Sequence, residues 1–250
     1  MAVTIKSKKE IELMREAGKM LEVHNKLADF VKPGISTLEI DQFGEKAIRD
    51  LGCVPNFLNY NGYPASICVS VNDEVVHGIP SKDRILQDGD IVSLDAGLIH
   101  EGYHSDAART HAVGNISEEA KRLIEVTKQS FFEGIKLAVP GNHLFDISEA
   151  IQKYVESNGY SVVRDLVGHG IGTHLHEDPQ IPNFKQRRKG MKLRPGMTLA
   201  IEPMVNEGSY DVVWLDDDWT VVTEDGSLAA HYENTIVITE DGCEILTLSE

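Results

Sequence analysis

The chain has 250 residues, a formal net charge of −16 and an apolar fraction of 41%. This suits a globular protein with a sizeable core, while the acidity argues against a general binder of DNA, RNA or anionic membrane. Three cysteines without a C-x-x-C pair argue against a disulfide framework or zinc knuckle. With no apolar leader and no membrane-length apolar run, they point to a cytoplasmic protein.

Apolar spacing at Ile11, Met14, Met20, Leu21, Leu27 and Phe30 predicts one helix over Lys8–Phe30, stopped by Lys32-Pro33-Gly34. Ser36 or Thr37 caps a second helix, Leu38–Leu51, which ends at Gly52. Strands are expected at Ser66–Val71, Ile91–Ala96 and Tyr103–Thr110. Helices return at Glu118–Ala138 and Leu144–Ser157, separated by Pro140-Gly141 and closed by Gly159. Strands then follow at Thr198–Met204, Asp211–Trp214, Trp219–Val222, His231–Ile238 and Cys243–Leu248. No linker or low-complexity tract intervenes, so 1–250 reads as a single α+β domain.

The chain also repeats itself at a constant offset of 107 residues. Val31-Lys32-Pro33-Gly34 matches Ala138-Val139-Pro140-Gly141, and the stretch from Leu86 to Asp95 matches that from Leu193 to Glu202. The period is too long for a solenoid. Two copies of one α+β unit, about 8–106 and 115–238, fit better. They would bring the equivalent strand ends Asp95 and Glu202 to one centre across a pseudo-twofold axis.

Five residues then stand out: Asp95, Asp106, His169, Glu202 and Glu233. Four carboxylates and one imidazole suit hard-to-borderline divalent ions. Ile91–Thr110 reads as a hairpin turning near Glu101-Gly102. A turn centred between His100 and Glu101 sets Asp95 opposite Asp106; one residue later, they are diagonal. Carboxylates that close repel unless a cation lies between them. The glycines of Gly168-His169-Gly170-Ile171-Gly172 permit close backbone approach around an imidazole. No G-x-S-x-G exists, and Cys68 reads as a core or pocket thiol. His231, two residues before Glu233, reads as structural.

The stretches Ser70-Val71-Asn72-Asp73-Glu74-Val75-Val76-His77-Gly78-Ile79-Pro80, Asp95 with Asp106, Gly168-His169-Gly170-Ile171-Gly172, Ala200-Ile201-Glu202-Pro203 and Glu233-Asn234-Thr235 together resemble methionine aminopeptidases. The match is to the type I class, M24-like metallopeptidases, and covers almost the whole chain. Only 26 positions separate His176 from Glu202, too few for the type II insertion, and the chain starts at its first helix without a zinc-binding extension.

The resemblance implies a pita-bread fold. Two αβ halves would surround a dinuclear centre, with a central curved antiparallel sheet flanked by helices. It implies Asp95, Asp106, His169, Glu202 and Glu233 as ligands of two divalent ions (Mn, Co, Fe or Zn), Asp106 and Glu233 bridging. It implies His77, His176 and Glu202 as catalytic groups, Glu202 carrying the proton and His176 stabilising the oxyanion. A pocket for methionine would use Tyr60, Tyr63, Cys68 and Trp219, together with Phe57 and Leu175, which stand where better-known bacterial members carry Cys and Phe. His77 and His176 would also touch the substrate. The implied reaction is attack of a metal-bridged hydroxide on the first peptide carbonyl of nascent proteins, with a small second residue preferred.

Alternatives are a proline-directed aminopeptidase of the same fold, which usually carries a further N-terminal domain, and a peptide-binding module, which should have lost ligands. A nucleic-acid-associated factor is disfavoured by the acidity. One segment breaks that acidity: Lys185-Gln186-Arg187-Arg188-Lys189-Gly190-Met191-Lys192-Leu193-Arg194 reads either as a solvated loop or as a foot on ribosomal RNA. The partner expected is the N-terminal Met of nascent polypeptides; the protein is expected to be a monomer.

Overall fold

The first amphipathic stretch forms two helices, α1 (Lys8–Lys19) and α2 (Val23–Phe30), where one was expected. The structure, a computed structural model, describes residues 3–19 and 22–247; the expected helix positions Met20 and Leu21 and the strand end Leu248 lie outside the described residues. Helix α3 (Thr37–Asp50) is capped by Ser36. The Ser36 hydroxyl accepts from the Glu39 amide, and the Glu39 carboxylate accepts from the Ser36 amide at 2.8 Å. This reciprocal cap satisfies two amides of the kind that a helix start leaves open.

Helices α4 (Glu118–Ile135) and α5 (Leu144–Ser157) follow. Helix α4 stops short of the expected Ala138, because the amides of Leu137 and Ala138 turn back to the carbonyls of Gly134 and Ile135. The ranges of α3 and α5 have the same length and stand 107 residues apart.

The strands form antiparallel sheets. In one, β4 (Ile91–His100) pairs with β1 (Val54–Pro55), β2 (Ile67–Val71) and β5 (Tyr103–Ala112). In another, β15 (Cys243–Ile245), β14 (Asn234–Ile238), β9 (Thr198–Ile201), β7 (Val167–Gly170) and β8 (Glu177–Pro182) lie in that order. Two smaller sheets join β13 (Ala229–His231), β10 (Met204–Asn206) and β6 (Ser161–Val162), and β11 (Val212–Trp214), β12 (Val221–Thr223) and β3 (Glu74–Val76).

Helices α2 and α3 cover the first sheet through Leu27, Ile40 and Ile48 on Ile67, Leu94 and Leu98. Helices α4 and α5 cover the other through Leu123, Phe131 and Ile147 on Leu199, Ile201 and Ile236. Each such fully buried side chain contributes about 1.5–3 kcal/mol. The two layers meet where Ala108 and Glu233 exchange backbone hydrogen bonds of 3.0 and 3.4 Å. The Thr235 hydroxyl also accepts from the Asp106 amide and donates to its carbonyl.

Two strands expected to be continuous are broken. Thr198–Met204 divides at Glu202-Pro203, and the stretch from His231 to Ile238 divides at Tyr232-Glu233. Pro203 has no amide to continue a ladder. Ile201 pairs with Asn234 on one side of the break and Met204 with His231 on the other. The register therefore runs through, setting Glu202 across from Glu233. No helix among the described residues is long and apolar enough to cross a membrane.

Candidate metal centre and its pocket

The β4–β5 hairpin turns at Glu101-Gly102, both with positive φ, and His100 pairs with Tyr103. Such a two-residue turn matches the twist of the flanking strands. The register sets Asp95 opposite Ala108 and Asp106 opposite Gly97, so the two carboxylates are diagonal, the later of the two turn positions expected. Asp95 also faces Cys68 across β2.

His169 sits on β7, opposite Ala200 of β9. A side chain at Gly168 would meet the Ala200 carbonyl at 2.4 Å, and one at Gly170 would meet the Asp178 carbonyl at 2.2 Å. Glycine is what lets β7 lie this close to its neighbours.

These strands bring all five residues to one cavity of about 110 Å³. Asp106, His169 and Glu233 are buried and each offers a ligand atom within 4.8 Å of the others. The His169 Nε2 lies 3.6 Å from Glu202 Oε1 and 3.9 Å from Asp106 Oδ2. Its Nδ1 lies 2.8 Å from the Gly170 carbonyl, which assigns the proton there and leaves a lone pair on Nε2.

Burial pushes Asp95 up to about 7 and Asp106, Glu202 and Glu233 well above the usual carboxylate range; Asp95 and the other carboxylates add to the rise in those three. Burial pulls His169 down to about 3. Asp95 Oδ1, Asp106 Oδ1 and Glu233 Oε1 are buried without a hydrogen-bond partner. Orphaned carboxylate oxygens facing a neutral imidazole fit a divalent cation, which would reverse these carboxylate shifts.

The same cavity holds the expected apolar set. Phe57, Tyr63, Cys68 and Leu175 are buried in its wall, with Tyr60 and Trp219 half-buried beside them. The Tyr63 ring meets Trp219 edge-on at 5.1 Å, and its hydroxyl donates to the Gly78 carbonyl at 2.8 Å. Burial raises Cys68 well above a normal thiol, so it acts as a wall rather than a nucleophile. None of the three cysteines forms a disulfide among the described residues.

His77 and His176 also line the cavity. His77 directly follows β3 with φ 58, a left-handed conformation uncommon outside glycine, and burial lowers its pKa to about 4. His176 stands at the rim. The Tyr60 hydroxyl lies 2.9 Å from its Nδ1, its ring meets His169 edge-on at 4.3 Å, and burial lowers its pKa.

Sequence reading missed four participants. Asn61, in the turn Tyr60–Gly62, completes the lining. Arg109 donates to the Glu233 carbonyl and, at 2.6 Å, to Asn234 Oδ1, with its guanidinium 4.4 Å over the Tyr232 ring. It holds the chain at the break that carries Glu233. The signal was a lone charge among Ala107, Ala108 and a buried strand. Lys6 and Glu177 form a buried ion pair of 2.5 Å beside His176. His231, read as structural, has its Nε2 4.0 Å from both Glu202 and Glu233.

The sequence profile of metallopeptidase family M24 matches residues 12–240. The chain belongs to metallopeptidase family M24. Among M24 relatives, the methionine aminopeptidase of Clostridium acetobutylicum is 57% identical over 249 residues, 99% of this chain and 100% of that one. That of Escherichia coli K12 is 44% identical over 250 residues, 99% and 95% of the two chains. The crystal structure of methionine aminopeptidase from Thermotoga maritima matches with a TM-score of 0.97 at 46% identity, covering 99% and 100%. The Xaa-Pro dipeptidase from Bacillus anthracis matches at 0.80 and 26% identity, covering 98% of this chain but 62% of that one. The M24 chain described here thus has the pita-bread fold, and it is a hydrolase that uses divalent metal.

Proposed function

We infer that this protein removes the N-terminal methionine from nascent polypeptides, preferring a small second residue. The carrying observation is one cavity that joins a carboxylate–imidazole centre to an apolar wall of Phe57, Tyr63, Cys68, Leu175 and Trp219. Full-length similarity to methionine aminopeptidases supports it, and the proline-directed neighbour is a longer chain.

Asp95, Asp106, His169, Glu202 and Glu233 would hold two ions, drawn from Mn, Co, Fe and Zn. When bound, such ions supply an activated water and polarise the scissile carbonyl. The residues do the rest. Glu202 takes a proton and returns it to the leaving amine. The His176 Nε2 donates to the developing oxyanion, while Tyr60 fixes the ring from behind. His77 stands toward the leaving nitrogen. The largely aromatic, apolar wall suits a flexible, polarizable thioether chain. We read 1–250 as a single catalytic domain of two related halves, acting in the cytoplasm as a monomer.

Chelation, with metal removal confirmed, is expected to abolish turnover and Mn²⁺ or Co²⁺ to restore it. Met-Ala peptides should be cleaved efficiently and Met-Arg or Met-Leu peptides poorly. Turnover that survives chelation, or equal rates on Met-Ala and Met-Arg, would sink this reading.

The basic segment is proposed as an electrostatic foot on ribosomal RNA. Lys185 pairs with Glu149 at 2.5 Å. Arg187, Arg188, Lys189, Lys192 and Arg194 are exposed, and no ion pair occupies them among the described residues. Ribosome binding should weaken with log salt at a slope near −0.7 to −0.9 per phosphate contact. Changing Arg187, Arg188 and Lys189 to Glu should abolish it and spare cleavage of short peptides. An unchanged affinity and slope would mark the segment as a solvated loop.

A further inference from the structure

The hairpin of β11 and β12 carries Trp219 to the cavity wall. Its tip is rigid. The Asp217 carboxylate accepts from the amides of Trp219 and Thr220 at 2.9 and 2.7 Å and from the Thr220 hydroxyl at 2.6 Å. The Leu215 amide donates across the turn to the Thr220 carbonyl at 2.9 Å. The strand leading into this tip is open to solvent: Val213, Trp214 and Leu215 are 39, 50 and 43% exposed. Strand β11 is also an edge, since its sheet runs β11-β12-β3, and its outer side has no strand partner among the described residues. Apolar edges pair readily with other chains, so proteins normally blunt or cover them. An open one beside a cavity marks a contact surface.

We propose that β11 and the hairpin tip bind the substrate polypeptide beyond its second residue, as an added strand, and favour apolar and basic residues there. This rests on the aminopeptidase reading and deepens it. Three observations select this occupant. The surface is continuous with the cavity, because Trp219 and Leu215 belong to one tight turn. Its scale fits: an extended chain advances about 3.3 Å per residue, so residues three to six cross about 10 Å, the length of a three-residue strand. Its charge fits, because Asp216 and Asp218 are exposed beside the apolar strand and would attract Lys or Arg and repel Asp or Glu. Main-chain pairing gives affinity without dictating sequence, while flanking side chains give a mild preference. That combination suits an enzyme that meets many different N-termini.

The test compares steady-state cleavage of Met-Ala-Ser, Met-Ala-Ser-Leu-Lys-Leu-Lys and Met-Ala-Ser-Gly-Glu-Gly-Glu. The apolar, basic heptapeptide is expected to exceed the tripeptide in kcat/KM by about tenfold, chiefly through KM, equivalent to about 1.4 kcal/mol. The acidic heptapeptide should gain much less, because repulsion by Asp216 and Asp218 opposes its main-chain pairing. The double variant Trp214→Ser, Leu215→Ser should erase the gain and leave tripeptide cleavage unchanged. Asp216→Lys should narrow the difference between the two heptapeptides. Equal kcat/KM for all three peptides would overturn the proposal, as would a gain that survives in the double variant. Sedimentation that finds a Trp214-dependent dimer at assay concentration would also overturn it, by assigning the surface to a second copy. If the unaltered protein cleaves none of the peptides, the aminopeptidase reading itself falls, and this proposal with it.

Discussion

Glu202→Gln is expected to lower kcat by about 10²–10⁴-fold, the range that positioned acid–base groups contribute. Glu202 directly follows β9 at a break that Pro203 enforces, with its Oε1 3.6 Å from His169 and its Oε2 4.0 Å from His231. It faces Glu233 across the break, and in the metal-free protein burial, then Asp95, raises its pKa. Placed beside the scissile bond, a carboxylate can accept a proton and return it within one turnover. Glutamine keeps the shape and removes both the charge and the exchangeable proton. It also relieves repulsion among the four carboxylates, so the thermal midpoint of the metal-free protein should not fall. The check is kcat measured beside metal content and a melting curve. A variant that retains more than a tenth of the turnover with the same metal content would remove Glu202 from the proton path.

How much of this centre could be read in the sequence depended on how local each cause was. Helices α3 and α5 were legible because their signals lie within a few residues: Ser36 with Glu39 at one start, and Gly52 and Gly159 just past the ends. Asp95 and Glu202 were legible because each ends an apolar run, where an acid needs a partner, while Asp106 was legible through its hairpin pairing with Asp95 and Glu233 through the family resemblance. Strands β7 and β8 were not. Val167-Gly168-His169-Gly170 has no alternation, and β8 carries Pro179 and Pro182, so their pairing is set by neighbours far along the chain.

The breaks at Glu202-Pro203 and Tyr232-Glu233 were missed for a related reason. Only the partner strand shows that both interruptions fall at the same level of one ladder. The role of Arg109 was not legible, although its charge stood out, because its partners, Glu233 and Asn234, stand more than a hundred residues away. The initial helix was overextended because apolar spacing runs on from Met14 to Leu27, and spacing alone does not mark where one helix ends and the next begins.

His176→Ala is expected to lower kcat by about 10²–10³-fold and to leave KM and metal content nearly unchanged. That magnitude is what one preorganised oxyanion donor supplies. The Tyr60 hydroxyl lies 2.9 Å from His176 Nδ1; donation to that nitrogen goes with a proton on Nε2, the tautomer that the oxyanion role requires. Burial lowers the His176 pKa, so the ring is the neutral tautomer at neutral pH. From the outer side, the Lys6–Glu177 pair anchors the next residue, with both side chains more than nine-tenths buried. A ring contacted by the Tyr60 hydroxyl and packed edge-on against His169 needs little reorganisation when charge develops on the carbonyl oxygen, and such a contact strengthens only in the transition state. Tyr60→Phe should reproduce part of the loss, because the imidazole stays but its tautomer and angle are released. Loss of metal from His176→Ala would make His176 a ligand. A rise in KM at constant kcat would make it a ground-state contact, and either result would remove it from the oxyanion role.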